Sequence, residues 1–177
     1  MRPPEIIETA RLRLRQPTLE DAPALFERYT QDPDVTRYLT WRPHTNVSQT
    51  EAFVQRCLAV WAEGEAFPWV LEGRGETLPI GMVELRIRRH MADLGYVLAR
   101  PYWGQGYMTE AARAVVEWAL GQSSIFRVWA VCDVENAASV RLLEKIGMRR
   151  EGILRRWLIH SNISEDPRDC YSYSITK

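Results

Sequence analysis

The chain has 177 residues, 46% apolar and 26% charged, enough for one domain to bury a sizeable core without metals or disulfides. Lys plus Arg and Asp plus Glu number 23 each, and a net charge of zero argues against nucleic acid or an anionic membrane as an obligatory partner. No apolar run approaches the ~20 residues of a bilayer span, the opening five residues lack a signal-peptide core, and Cys57, Cys132 and Cys170 have no zinc-ligand spacing with the three histidines, so a cytoplasmic protein with free thiols and no metal is expected.

Along the chain, Thr9–Gln16 (TARLRLRQ) alternates Leu with Arg, the period of a half-buried strand. Thr18 with Asp21 reads as a capping box opening a helix to about Tyr29. Ser48–Glu51 (SQTE) reads as a fuller box, and behind it Phe53, Cys57, Val60 and Trp61 keep helical spacing until Gly64. Strands at Pro68–Glu72 and Ile80–Arg88 flank a hairpin signal at Gly73–Glu76 (GRGE). Asp93–Ala99 is the next strand, and Pro101–Gly106 breaks it. Thr109–Leu120 is an Ala-rich helix with apolar residues on both faces, hence largely buried. After a short strand, Arg127–Cys132, Asn136 caps a helix to about Ile146 that Gly147 ends. Strands at Arg149–Leu158 and Asp169–Ile175 close the chain. Strands and helices interleaved this way predict one mixed α/β domain over residues 1–177, with helices flanking a central twisted sheet of about seven strands.

Two segments carry chemistry. In Arg100–Ala111 (RPYWGQGYMTEA), Gly104 and Gly106 let the backbone turn sharply between a strand and a helix. The helix N-terminus that follows offers unpaired N–H groups and a positive dipole end, a site for a pyrophosphate. A dinucleotide fingerprint needs a third glycine where Thr109 stands, and a P-loop needs Gly-Lys-Ser/Thr, so neither reading holds. In Asn136–Met148 (NAASVRLLEKIGM), Ser139 and Leu143 share one helix face.

The ordered pair of segments closely resembles the GNAT superfamily of N-acetyltransferases, and in particular its ribosomal-protein N-terminal acetyltransferase branch. Glu8–Arg15, Glu20–Ala22, Ile80–Gly81 and Leu94–Leu98 (LGYVL) agree with it, so the likeness spans nearly the whole chain. The resemblance implies acetyl-CoA as cosubstrate, lying where strands Asp93–Ala99 and Arg127–Cys132 splay apart. Backbone N–H groups of Trp103, Gly104, Gln105, Gly106, Tyr107, Met108 and Thr109 would hold its phosphates. Pro101 departs from the family's Gln or Arg and has no N–H; neighbouring Arg100 would supply charge instead. Val97 and Leu98 would present backbone groups to the pantetheine arm, and Asn136 would touch that arm as well as cap its helix.

The family's tyrosine acid is replaced by Leu143. Ser139, one turn earlier, matches the branch's serine acid, and Asp93 and Glu84 are the candidate bases. The branch's glutamate would fall at Leu158, which departs from it. Together with zero net charge, this points to a small or peptide-like primary amine as acceptor rather than a basic ribosomal protein. A protein N-terminal acetyltransferase and a non-catalytic acetyl-CoA sensor are the alternatives, and monomer and homodimer both stay open. Trp41, Trp69 and Trp157 are candidate linings of an acceptor cleft between the segment around Trp41 and the polar Ser161–Arg168 loop.

Overall fold

A computed structural model describes residues 2–76 and 78–177. The strands are β1 Ile6–Glu8, β2 Leu12–Arg15, β3 Ala66–Gly73, β4 Pro79–Arg88, β5 Met91–Leu98, β6 Arg127–Asp133, β7 Arg149–Leu158 and β8 Arg168–Thr176. They form one sheet in the order β1-β2-β3-β4-β5-β6-β8-β7, one strand more than expected. The additional strand comes from the N-terminus. Thr9 N donates to Leu12 O and Leu12 N to the Thr9 hydroxyl, closing a hairpin that adds β1 to the sheet.

The helices are α1 Ala22–Leu25, α2 Pro33–Thr36, α3 Val47–Glu63, α4 Tyr107–Gly121 and α5 Ala137–Lys145. Thr18 N donates to the Asp21 carboxylate at 2.7 Å, but the run behind it is not one helix. It divides into a tight turn at Leu19–Asp21, α1 and a wide turn at Phe26–Thr30, with Pro23 starting α1. The expected cap at Ser48 is also displaced. Asn46 accepts from Gln49 N at 3.2 Å while Gln49 accepts from Thr45 N at 2.8 Å, so this reciprocal pair opens α3 at Val47.

Side-chain alternation divides the core between the sheet's two faces. Val83, Leu85, Ala92 and Leu94 pack with Val115 of α4 and Leu143 of α5. On the other face, Val70 and Met82 pack with Leu25 of α1 and with Val54 and Cys57 of α3. Each large side chain buried this way contributes about 1.5–3 kcal/mol. Trp69 belongs to this core and not to an acceptor cleft: it is fully buried, meets Trp61 edge-on at 5.2 Å and donates to Pro4 O.

All neighbouring strands pair antiparallel except β5 and β6. That parallel ladder joins Met91 to Arg127, Ala92 to Val128 and Asp93 to Trp129, and ends there. Beyond it β5 stays with β4 as far as Leu98, and β6 stays with β8 as far as Asp133. The two strands therefore open into a V, with α4 and α5 on one side and α3 on the other.

Candidate active site

At the mouth of the V, a tight turn at Arg100–Tyr102 leads to Gly104 (φ 74°) and Gly106 (φ 81°), left-handed values that suit glycine. Gly106 caps α4, leaving the first-turn N–H groups of Tyr107, Met108 and Thr109 at an exposed helix end. Two expected contact residues brace this turn with their side chains: Trp103 Nε1 donates to Leu98 O at 2.7 Å and Gln105 Nε2 to Pro101 O at 2.8 Å. Met108 is buried, so only its backbone is available. Arg100 is not a free charge, because Asp32 and Asp34 hold it at 3.1 and 3.0 Å. A second cation at this mouth, Arg11, which sequence reading passed over as part of an alternating strand, is likewise paired and braces the turn. Its Nη1 donates to Gln105 O at 2.9 Å, its Nε to Glu110 at 2.7 Å, and its guanidinium lies 4.5 Å from the Tyr107 ring centre.

The strand pleat separates the expected pair Val97 and Leu98. Ala99 N donates to Ile80 O on the β4 side. By alternation Val97 also faces β4, and the peptide groups of Tyr96 and Leu98 face the open gap. On the face covered by α4 and α5, the Tyr96 hydroxyl is hydrogen-bonded to Ser139 Oγ. Tyr96 was the second residue missed; the only signal was its place in the LGYVL motif. Ser139 is buried, and its N–H is held by the Asn136 side chain at 3.1 Å, so Asn136 does cap α5. Burial pushes the Tyr96 phenol above its ordinary value, although the bond from Ser139 pulls the other way.

Asp93 and Glu84 lie on the opposite, α3-facing side of the sheet from Tyr96 and share one guanidinium. Arg86 Nε donates to Asp93 at 2.7 Å, and Arg86 Nη1 pairs with Glu84. Desolvation works against the Arg86 charge, yet these carboxylates raise its pKa. Glu84 and Arg86 border a cleft of about 600 Å³ that Phe53, Arg56, Cys57 and Arg88 also line. Among the described residues Arg56 and Arg88 have no carboxylate partner. Burial pushes the Cys57 thiol up to about 12, so it contributes shape and not reactivity.

The two loops expected to border an acceptor cleft are tied to each other. Asn162 Nδ2 donates to Thr36 O at 2.7 Å and to Trp41 O at 2.8 Å. Trp157 is half exposed on β7. Beneath the loops, fully buried Asp133 accepts from Arg168 Nε at 2.6 Å and from Glu135 N at 2.9 Å, and buried His160 places Nε2 3.7 Å away. Cys57, Cys132 and Cys170 are free and buried. Among the described residues no His, Cys, Asp and Glu cluster is arranged to hold a metal, and no helix is long and apolar enough to cross a membrane.

A mixed sheet opened between its one parallel pair, with a glycine turn and a helix N-terminus at the mouth, is the arrangement expected of the acetyltransferase class that the motifs suggested. The model of the acetyltransferase (GNAT) domain matches residues 11–149. An uncharacterized N-acetyltransferase of Bacillus subtilis (strain 168), YoaA, is 33% identical over 175 residues, covering 97% of each chain. The crystal structure of a GNAT-family acetyltransferase from Bacillus anthracis superposes with a TM-score of 0.84 at 29% identity, over 97% of this chain and 98% of that one. RimL, a ribosomal L7/L12 alpha-N-protein acetyltransferase in complex with coenzyme A, has the same fold at a TM-score of 0.84 and 24% identity, over 97% and 98% of the chains. The chain belongs to the GNAT acetyltransferase family.

Proposed function

We propose that the protein transfers the acetyl group of acetyl-CoA directly to a primary amine of a small or peptide-like acceptor. The observation that carries this reading is the opened β5–β6 pair with a glycine turn and a helix N-terminus at its mouth; a carboxylate-bordered cleft lies between α3 and β4 on the α3-facing side of the sheet. Acetyl-CoA supplies a thioester ready for attack. The N–H groups of residues 103–109 hold its phosphates, and the Tyr96 peptide groups and the Leu98 N–H line its arm. Glu84 or Asp93, braced by Arg86, takes the amine's proton directly or through water, and Ser139 protonates the departing sulfur. Each of the two proton transfers contributes ~10²–10⁴-fold.

The cleft volume suits a small molecule. Zero net charge and Leu158 in place of a glutamate favour the same acceptor class. The likeness to RimL favours a second reading, a protein N-terminal amine. An acceptor panel of spermidine, free amino acids and an L7/L12 N-terminal peptide, with acetyl-CoA and detection of free CoA thiol, decides between them. Turnover on a small amine is the expected result, with acetyl-CoA affinity in the micromolar range, roughly −8 kcal/mol. Label from a treated lysate concentrated on one protein's N-terminus would replace the small acceptor by the protein one. Tight binding with no thiol release on any amine would leave a sensor of acetyl-CoA and defeat the catalytic reading.

A further inference from the structure

We infer that Tyr96 acts as a positioning residue through Ser139, passing a proton to it as Ser139 gives its own to the departing sulfur. The inference rests on the reading of Ser139 as the acid. Tyr96 stands on β5 beyond the last parallel pair, and Ser139 stands on α5, which packs against β6, so their hydrogen bond ties one arm of the V to the helix packed on the other. A hydroxyl has one proton. If Ser139 donates it to Tyr96, nothing remains for sulfur; if Ser139 accepts from Tyr96, its own proton is free to point into the gap. The Asn136 side chain fixes Ser139 at the start of α5, which holds that hydroxyl in place.

The relay answers a chemical difficulty with a serine acid. An alcohol is about as weak an acid as water, whose pKa is roughly 15.7, whereas a phenol titrates near ~10. Ser139 acting alone would end as an alkoxide; with Tyr96 behind it, the charge ends on a phenol oxygen. Burial raises the Tyr96 phenol, which narrows its advantage over the alcohol and keeps its proton in place through the working pH range. The Cys132 thiol, which burial pushes up to about 11, is likewise protonated and offers no competing base.

The step balances. The amine lone pair forms the C–N bond, the C–S bond breaks, and its electron pair stays on sulfur. Sulfur takes the Ser139 proton, Ser139 takes the Tyr96 proton, and solvent restores Tyr96 before the next turnover. The proton lost by the amine goes to the carboxylate base or to water.

The test compares wild type, Tyr96→Phe, Ser139→Ala and the double variant in single turnovers of acetyl-CoA. The acceptor is the best amine of the panel or, where none reacts, water, with hydrolysis to CoA followed. Calorimetry with CoA establishes that each variant is folded and binds within about twofold of wild type. Tyr96→Phe is expected to lose about tenfold in rate, Ser139→Ala as much or more, and the double variant no more than Ser139→Ala. Mixed H₂O–D₂O solvents supply a readout that a packing role would not move: a curved proton inventory for wild type, two protons moving together, and a linear one for Tyr96→Phe. Losses that multiply in the double variant, full rate in Tyr96→Phe, or a linear wild-type inventory would overturn the relay while Ser139 keeps its role. An unchanged rate in Ser139→Ala removes the acid reading itself.

Discussion

Gly106→Val is expected to weaken acetyl-CoA binding severely while leaving the chain folded. Gly106 sits at φ 81° directly before α4, where an L-residue pays ~1–2 kcal/mol and a β-branched one more. A Cβ there would meet Arg11 Nη2 at 3.4 Å, the side chain that holds both Gln105 O and Glu110. The added methyls would also stand beside the N–H groups proposed to hold the phosphates. Affinity is expected to fall at least a hundredfold, about 3 kcal/mol, while circular dichroism stays native. Gly106→Ala, with the strain and less of the obstruction, should lose about tenfold. Calorimetry with wild-type affinity in a folded Gly106→Val protein would move the phosphate site away from this turn.

The largest loss of stability is expected from Asp133→Ala. The carboxylate is fully buried at the end of β6 and bonds Arg168 of β8 and the Glu135 amide of the turn into α5. Removing it leaves Arg168 to Glu135 alone, 2.8 Å away and exposed, and strands a backbone N–H. Breaking a buried pair costs ~3–5 kcal/mol, and the partly exposed Arg168 places this one near ~3 kcal/mol. For a domain of this size that is a fall in Tm of roughly 6–12 °C.

The same cluster sets an acid sensitivity. Burial raises the Asp133 carboxyl, but the Arg168 and Glu135 bonds outweigh it and hold the pKa below the ordinary value. Burial lowers the His160 pKa against the attraction of Asp133. Both folded values are depressed, so the unfolded chain takes up protons first. Stability is full above pH ~6.5, falls through His160 below that, and falls through Asp133 below ~3.9. Denaturant titrations at pH 7 and pH 5 should differ for wild type and differ less for His160→Asn. An equal pH 7 to pH 5 difference in the two proteins would remove His160 from the account.

Much of the fold was legible because periodicity and punctuation report it directly. The Leu–Arg alternation, Gly64 and Gly147 as helix stops, and the G-x-G turn all act through a few neighbouring residues. What the sequence hid depends on residues far apart in the chain. Arg11 reaches Gln105 and Glu110 only after β2 docks beside β3 and α4 crosses behind it. Tyr96 finds Ser139 only because α5 covers the face of the sheet on which Tyr96 lies. Arg100 reads as a free charge until Asp32 and Asp34 fold against it. Trp69 reads as amphipathic surface until the Trp61 ring covers it. Asp93 and Glu84 were identifiable as acids on strands, but nothing local in the sequence showed that Arg86 would bind them both.

The short parallel ladder has a consequence for the empty protein. Sheets normally expose ladder groups at their rims, whereas here the Tyr96 peptide groups and the Leu98 N–H form such an edge in the middle. An unpaired edge invites a foreign strand, and its amides should exchange with solvent faster than those of Met91 to Asp93. A pantetheine arm lying along β5 would act as a surrogate strand and close that seam. Ligand at a hundred times its Kd adds about 2.7 kcal/mol to stability. Supply of acetyl-CoA thereby bears on how long each copy of the enzyme survives proteolysis and aggregation, as well as on how fast it turns over.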